Sequence, residues 1–301
     1  MESLKEDLTP FGFDDIGEDV DLILRCSAAI LSHNSTTKSL INLSGIEVRD
    51  RFEEVTNGIK GAIDFLRLNL HLAKLGNLPY PTMLIPLAVF FAVPGNKMYV
   101  ASTEQSKAIL KWFWRVPISK RYSAGVLTSL NKDVEEMLKL RRNQHNELGL
   151  FPVSIKKEFF IDNTFNANSV NTKVFILMLA YMRPKSLISG SHVSLQLVLK
   201  DANRNEFHHL YPRAYLKQIG IKDESEINAL VNFCFLSKTD NNRIGGSAPS
   251  VYKDKLTTDA VELNAILNSS LIPDSLFADN FEEFVKDRSE KLLSFANGLV
   301  A

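Results

Sequence analysis

Cysteine is nearly absent. Two thiols, Cys26 and Cys234, in 301 residues cannot build a disulfide framework, and their scarcity suits a reducing compartment. Neither sign of charge is in excess, since 35 Lys and Arg balance 35 Asp and Glu. A global basic field is thereby excluded, and any nucleic-acid contact must come from a local patch. Long apolar runs are missing too. The longest covers residues 83–93 and contains Pro86. It falls short of the roughly 20 residues that a membrane span needs, so a buried helix or loop wall is expected there. The opening residues Met1-Glu2-Ser3-Leu4-Lys5-Glu6-Asp7 are acidic and lack the apolar stretch of a secretory signal. The chain therefore reads as cytoplasmic, with no membrane partner. Internal repeats and low-complexity segments are also absent. What is present, 45% hydrophobic and 23% charged residues, is ordinary for a globular protein of one large or two medium domains.

Most of the first 180 residues carry helical signals. Val48, Phe52, Val55, Ile59, Ile63, Leu66 and Leu70 are spaced by threes and fours, which predicts one helical face over 48–72, stopped by Gly76 and Pro79. Ser102 followed by Gln105 predicts a capping box that opens a helix through Trp112. Asn131 is the expected cap of a further helix ending in Lys139-Leu140-Arg141-Arg142. Residues 174–182 are apolar on all sides and stop at Pro184, as in a helix buried within a bundle. Near residue 185 the pattern changes. Val193, Leu195, Leu197 and Leu199 alternate with His192, Ser194, Gln196 and Lys200 at the other parity, apart from Val198, which predicts a strand. Asn203-Arg204-Asn205 reads as a turn, Asp223 with Glu226 as the cap of a short helix to Val231, and Phe233-Cys234-Phe235-Leu236 as a short strand. Residues 245–250 read as a loop. Phe281, Phe284, Val285, Leu292, Phe295 and Leu299 mark an amphipathic C-terminal helix.

Chemistry concentrates in two segments. The first is Glu206-Phe207-His208-His209-Leu210-Tyr211-Pro212. The second runs from Asn232 through Phe233-Cys234-Phe235-Leu236-Ser237-Lys238-Thr239-Asp240-Asn241-Asn242-Arg243-Ile244 to Gly245. A strand ending in two imidazoles is thus followed by a loop, a second strand and an amide-rich turn. Imidazole nitrogen and amide oxygen both ligate divalent cations. The second imidazole is then available to take a proton from water.

This order resembles the HNH (ββα-metal) nuclease motif. The resemblance implies that His208 is a metal ligand and His209 the general base. It makes Asn232 the central amide that ties the loop together and orients the base, and Asn241 the final metal ligand. Pro212, three residues after the base, fits the same pattern. Many members have Lys-Gly where this chain has Ile244-Gly245, so Lys238, Arg243 and Arg213 are the candidates for phosphate contact. His208-His209-Leu210-Tyr211-Pro212-Arg213-Ala214-Tyr215-Leu216, Leu236-Ser237-Lys238-Thr239-Asp240-Asn241 and Ala248-Pro249-Ser250-Val251-Tyr252 are similar to the nuclease domain of the GmrSD-type family of modification-dependent restriction and phage-defence proteins. Leu78-Pro79-Tyr80, Leu110-Lys111-Trp112-Phe113-Trp114 and Arg121-Tyr122-Ser123 extend the likeness to residues 20–260.

The resemblance implies a metal-dependent DNA endonuclease using one Mg²⁺ or Mn²⁺ ion. Relatives usually begin with a ParB-like nucleotidase domain carrying an Asp-Gly-Gln-Gln motif. This sequence has no such motif, which suggests a truncated form or one half of a split system whose partner is a separate ParB-like subunit. The alternative is a catalytically silent DNA-binding or regulatory module. The expected architecture is mainly α. A helical bundle occupies 1–184, a ββα-metal motif embedded in helices occupies 185–260, and C-terminal helices over 261–301 pack on these.

Other candidates have plainer readings. Lys111, Arg115, Lys120 and Arg121 interleave with Trp112, Phe113, Trp114 and Tyr122. That mix suits base stacking, but an aromatic core face with solvated charges explains it more simply. Lys139, Arg141 and Arg142 suit a helix C-terminus. His145 and His192 read as surface residues, and Cys234 as a buried apolar one.

Overall fold

A computed structural model describes residues 2–201 and 207–301. The expected turn at Asn203-Arg204-Asn205 lies outside the described residues. Those described are mainly helical, with a two-stranded sheet. They form two compact units, residues 1–154 with 299–301, and residues 155–298. The division falls at 154/155 rather than at 184. The reason is local. The amide of Phe165 donates to the carbonyl of Asn228, and that of Leu230 to Asn163, so the chain before the Val170–Tyr181 helix is knit to the second unit.

In the first unit the apolar run becomes the helix Leu84–Phe91, whose eight residues are all buried. Helices Val20–Ser32, Phe52–Leu70 and Val126–Arg141 pack around it. Gly58 and Gly61 let the Phe52–Leu70 helix approach closely. A Cβ on Gly58 would lie 2.6 Å from the Ala88 carbonyl oxygen, and one on Gly61 2.7 Å from the Phe91 Cβ. The face expected over 48–72 is interrupted at Arg51, which separates Gly45–Asp50 from Phe52–Leu70. His71 ends the second helix in a left-handed turn (φ 58°), ahead of Gly76. The Ser102–Gln105 capping box forms, and its helix runs on to Ile118. Asn131 caps nothing. Gly125 precedes the Val126–Arg141 helix, and the Asn131 amide oxygen accepts from the Ser35 backbone and hydroxyl. Trp112, Phe113 and Trp114 are buried, so the aromatic stretch is core. Arg115 donates to the carbonyls of Gly149, Phe151 and Val300, and Arg141 to those of Val89 and Ala92. No described helix is long and apolar enough to cross a membrane.

In the second unit one expectation fails. Residues 195–201 form a helix, Leu195–Asp201, where alternation predicts a strand. Leu195, Val198 and Leu199 are buried while Leu197 is 65% exposed, a spacing of three and four. The strands are β1 (Phe207–His209) and β2 (Phe233–Phe235), antiparallel, with Phe207 opposite Phe235, His208 opposite Cys234 and His209 opposite Phe233. Asp223 caps the short Glu224–Ile227 helix. Helix Lys238–Ile244 follows β2, and Pro249–Lys253 begins inside the expected loop. Ala260–Ser269 and Phe281–Val300 complete the chain. Ile266, Leu267 and Phe284 share a core with Leu210, Tyr211 and Cys234, so the C-terminal helices pack on the strand region.

Candidate active site

The ribbon and the helix after it set the positions of the chemistry-bearing side chains. Successive residues of a strand face opposite sides. Phe207, His209, Phe233 and Phe235 therefore share one face, and His208 shares the other with Cys234. The second face is also the side of the Lys238–Ile244 helix, because Cys234 and Ile244 belong to one buried cluster. Burial pushes the Cys234 thiol up to about 11, leaving it an apolar filler.

Both histidines reach the rim of a cavity of about 590 Å³ at the end of the ribbon, with Phe165, Arg213, Glu224 and Asn228. Phe165 stacks on Phe233 with centroids 4.4 Å apart, and Phe233 backs the His209 ring at 4.3 Å. Burial lowers the His209 pKa below its usual 6.5, so the ring is neutral near pH 7, as a base must be. Its Nε2 lies 3.0 Å from the Asn228 amide oxygen. Asn228 in turn donates its NH₂ to the Glu224 carbonyl and carboxylate. With the amide oxygen facing the ring, Nε2 carries the hydrogen and Nδ1 is the lone-pair nitrogen.

Asn232 is fully buried. Its oxygen accepts from the Tyr211 amide at 2.8 Å, and its NH₂ donates to the carbonyls of Tyr211 and Ile227. It ties the loop between the strands together, as expected. The side chain that holds the His209 ring is Asn228, not Asn232. Sequence reading missed both Asn228 and Glu224: Glu224 opens the short helix that Asp223 caps, and Asn228 is the residue that ends it.

The phosphate-contact candidates are placed unevenly. The Arg213 guanidinium lines the cavity but is engaged by Glu224 at 2.7 Å. Lys217 at 2.8 Å, together with Arg213, holds the Glu224 carboxyl down to about 2. Arg243 is exposed on the Lys238–Ile244 helix. The Lys238 side chain lies outside the described residues. Asn241 sits on the same helix and does not line the cavity, and its side-chain amide has no hydrogen bond to the described residues.

No group of three His, Cys, Asp or Glu side chains suited to a metal occurs among the described residues. The two expected metal ligands are placed differently: His208 lines the cavity, and Asn241, on the helix after β2, does not. No protein-family model matches the chain, and no curated protein matches it.

Proposed function

We propose that this chain is a metal-dependent endonuclease module of the HNH type, cutting DNA phosphodiesters in restriction or phage defence. One observation carries the reading: β1 ends in His208-His209, and β2 leads into a short helix bearing Asn241. Asn232 stitching the intervening loop supports it further. In this reading the His209 Nδ1 takes a proton from water as the water attacks phosphorus. Asn228 fixes the ring through Nε2, and Glu224 fixes Asn228. His208 and Asn241 would hold one Mg²⁺ or Mn²⁺ ion, which supplies Lewis-acid stabilisation of charge on the phosphate when bound. Arg213 reaches a phosphate by exchanging Glu224 for it. A separate ParB-like nucleotidase subunit is the natural regulatory partner.

The test is plasmid DNA incubated with the chain in Mg²⁺, Mn²⁺ or EDTA. Cleavage that EDTA stops and His209→Ala abolishes, with DNA binding kept, is the expected result. A silent DNA-binding module is the second reading, favoured by the Glu224 carboxylate on the cavity wall and its hold on Arg213. Retarded but uncut DNA in every metal would select it.

A further inference from the structure

A second cavity, of about 530 Å³, shares no lining residue with the first. Its walls are the loop before the Leu195–Asp201 helix, that helix, and the junction of β2 with the Lys238–Ile244 helix. The loop has a defined shape. Val193 donates to the Pro184 carbonyl, Ser186 to that of Ser191, and Gly190 to that of Ser186. Gly190 adopts φ +68°, a conformation that glycine takes without strain.

The lining of this cavity is rich in acceptors and, among the described side chains, holds no lysine or arginine. Asp240 is 7% exposed, and one of its carboxylate oxygens accepts the Ser186 hydroxyl at 2.5 Å. No described lysine, arginine or histidine forms an ion pair with it. The Ser186 hydrogen is already committed to that carboxylate. The Ser237 hydroxyl oxygen accepts from the Asp240 amide, and Ser189 and Ser191 bond each other at 2.7 Å. The His192 Nδ1 lies 3.2 Å from the Arg183 carbonyl. An acceptor there makes Nδ1 the donor, so the neutral ring presents a bare Nε2. Leu197, Val198 and Leu236 supply an apolar wall. Among the described side chains no cation meets the buried Asp240 carboxylate, which favours a cationic partner, and the bare His192 Nε2 adds an acceptor to the same lining.

We propose that this cavity binds a small organic cation, an alkylammonium or alkylguanidinium, with its charged head on Asp240 and its stem along Leu197 and Val198. The site is independent of the nuclease reading.

Calorimetric titration of the full chain with n-butylammonium and n-butylguanidinium tests it, with n-butylurea and butyrate as neutral and anionic controls. Saturable binding of one cation per chain is expected, at least about tenfold tighter than the urea, since a charge-assisted hydrogen bond exceeds a neutral one by about that factor. Asp240→Asn should remove the preference. Ser186→Ala leaves the charge in place and should keep it, so the comparison survives if Asp240→Asn fails to fold. His209→Ala should bind the cations like the parent, whether or not DNA is cleaved. Butylurea binding as tightly as butylguanidinium overturns the proposal. So does an unchanged preference in Asp240→Asn, or no saturable binding of either cation.

Discussion

The His209 imidazole gives its Nε2 hydrogen to the Asn228 amide oxygen across 3.0 Å, a contact between residues on opposite sides of a long loop. The contact favours the charged ring, and burial opposes it more strongly. Replacing Asn228 with Ala should lower the His209 pKa further, which a histidine NMR titration reads directly. DNA cleavage by that variant should fall by about ten- to a hundredfold through loss of ring orientation, while DNA binding stays within a few fold.

The same depressed pKa fixes a direction for stability against pH. Unfolded, His209 titrates near 6.5, and folded it titrates lower. Between those values the unfolded chain binds the extra proton. Stability from this residue is therefore complete above about pH 6.5 and is lost as pH falls through the window down to the folded value. His33, in the first unit, is shifted the same way, chiefly by burial. The informative quantity is thus the difference in urea midpoint between the parent and His209→Gln across pH 5 to 7. That difference should shift in favour of the variant on acidification.

Asn232→Ala should destabilise the second unit by about 3 kcal/mol, because it orphans the Tyr211 amide and two carbonyls in a dry interior. Denaturant unfolding measures this.

In the first unit, Asp133 is 2% exposed, paired with both sides of the Arg121 fork and with the Tyr122 hydroxyl at 2.7 Å. Asp133→Ala leaves a part-buried guanidinium without its partner. A loss of roughly 3–5 kcal/mol is expected, again read by denaturant unfolding.

Leu197 and Leu199 separate the helical from the extended reading of residues 193–200. A strand would treat both alike, since they share parity. The helix buries Leu199 and exposes Leu197. Leu199→Ala should cost about 2–5 kcal/mol, and Leu197→Ala less than about 0.5 kcal/mol.

That pair also shows what the sequence concealed. An exposed leucine at 197 completes a false alternation with 193, 195 and 199, while the genuine spacing of 195, 198 and 199 is too short to stand out. The ribbon was legible because Phe207 and Phe233-Cys234-Phe235 are β-prone runs beside loop signals. The Ser102 cap was legible because both its partners are local. Asn131 misled because a polar residue inside a helix looks like a cap until its distant partner, Ser35, is known. Asn228 was invisible for the same reason, as only the folded loop brings it to His209.

The helix Leu84–Phe91 carries a consequence for synthesis. Two of its covering helices, Val20–Ser32 and Phe52–Leu70, precede it, and the third, Val126–Arg141, follows. Residues 92–125 must be made before that last cover begins to emerge, which at roughly 5–20 residues per second takes a few seconds. For that interval an uncharged eight-residue apolar surface stands open on the nascent chain. Open apolar surface of this kind on an incomplete chain is what favours misassembly during synthesis.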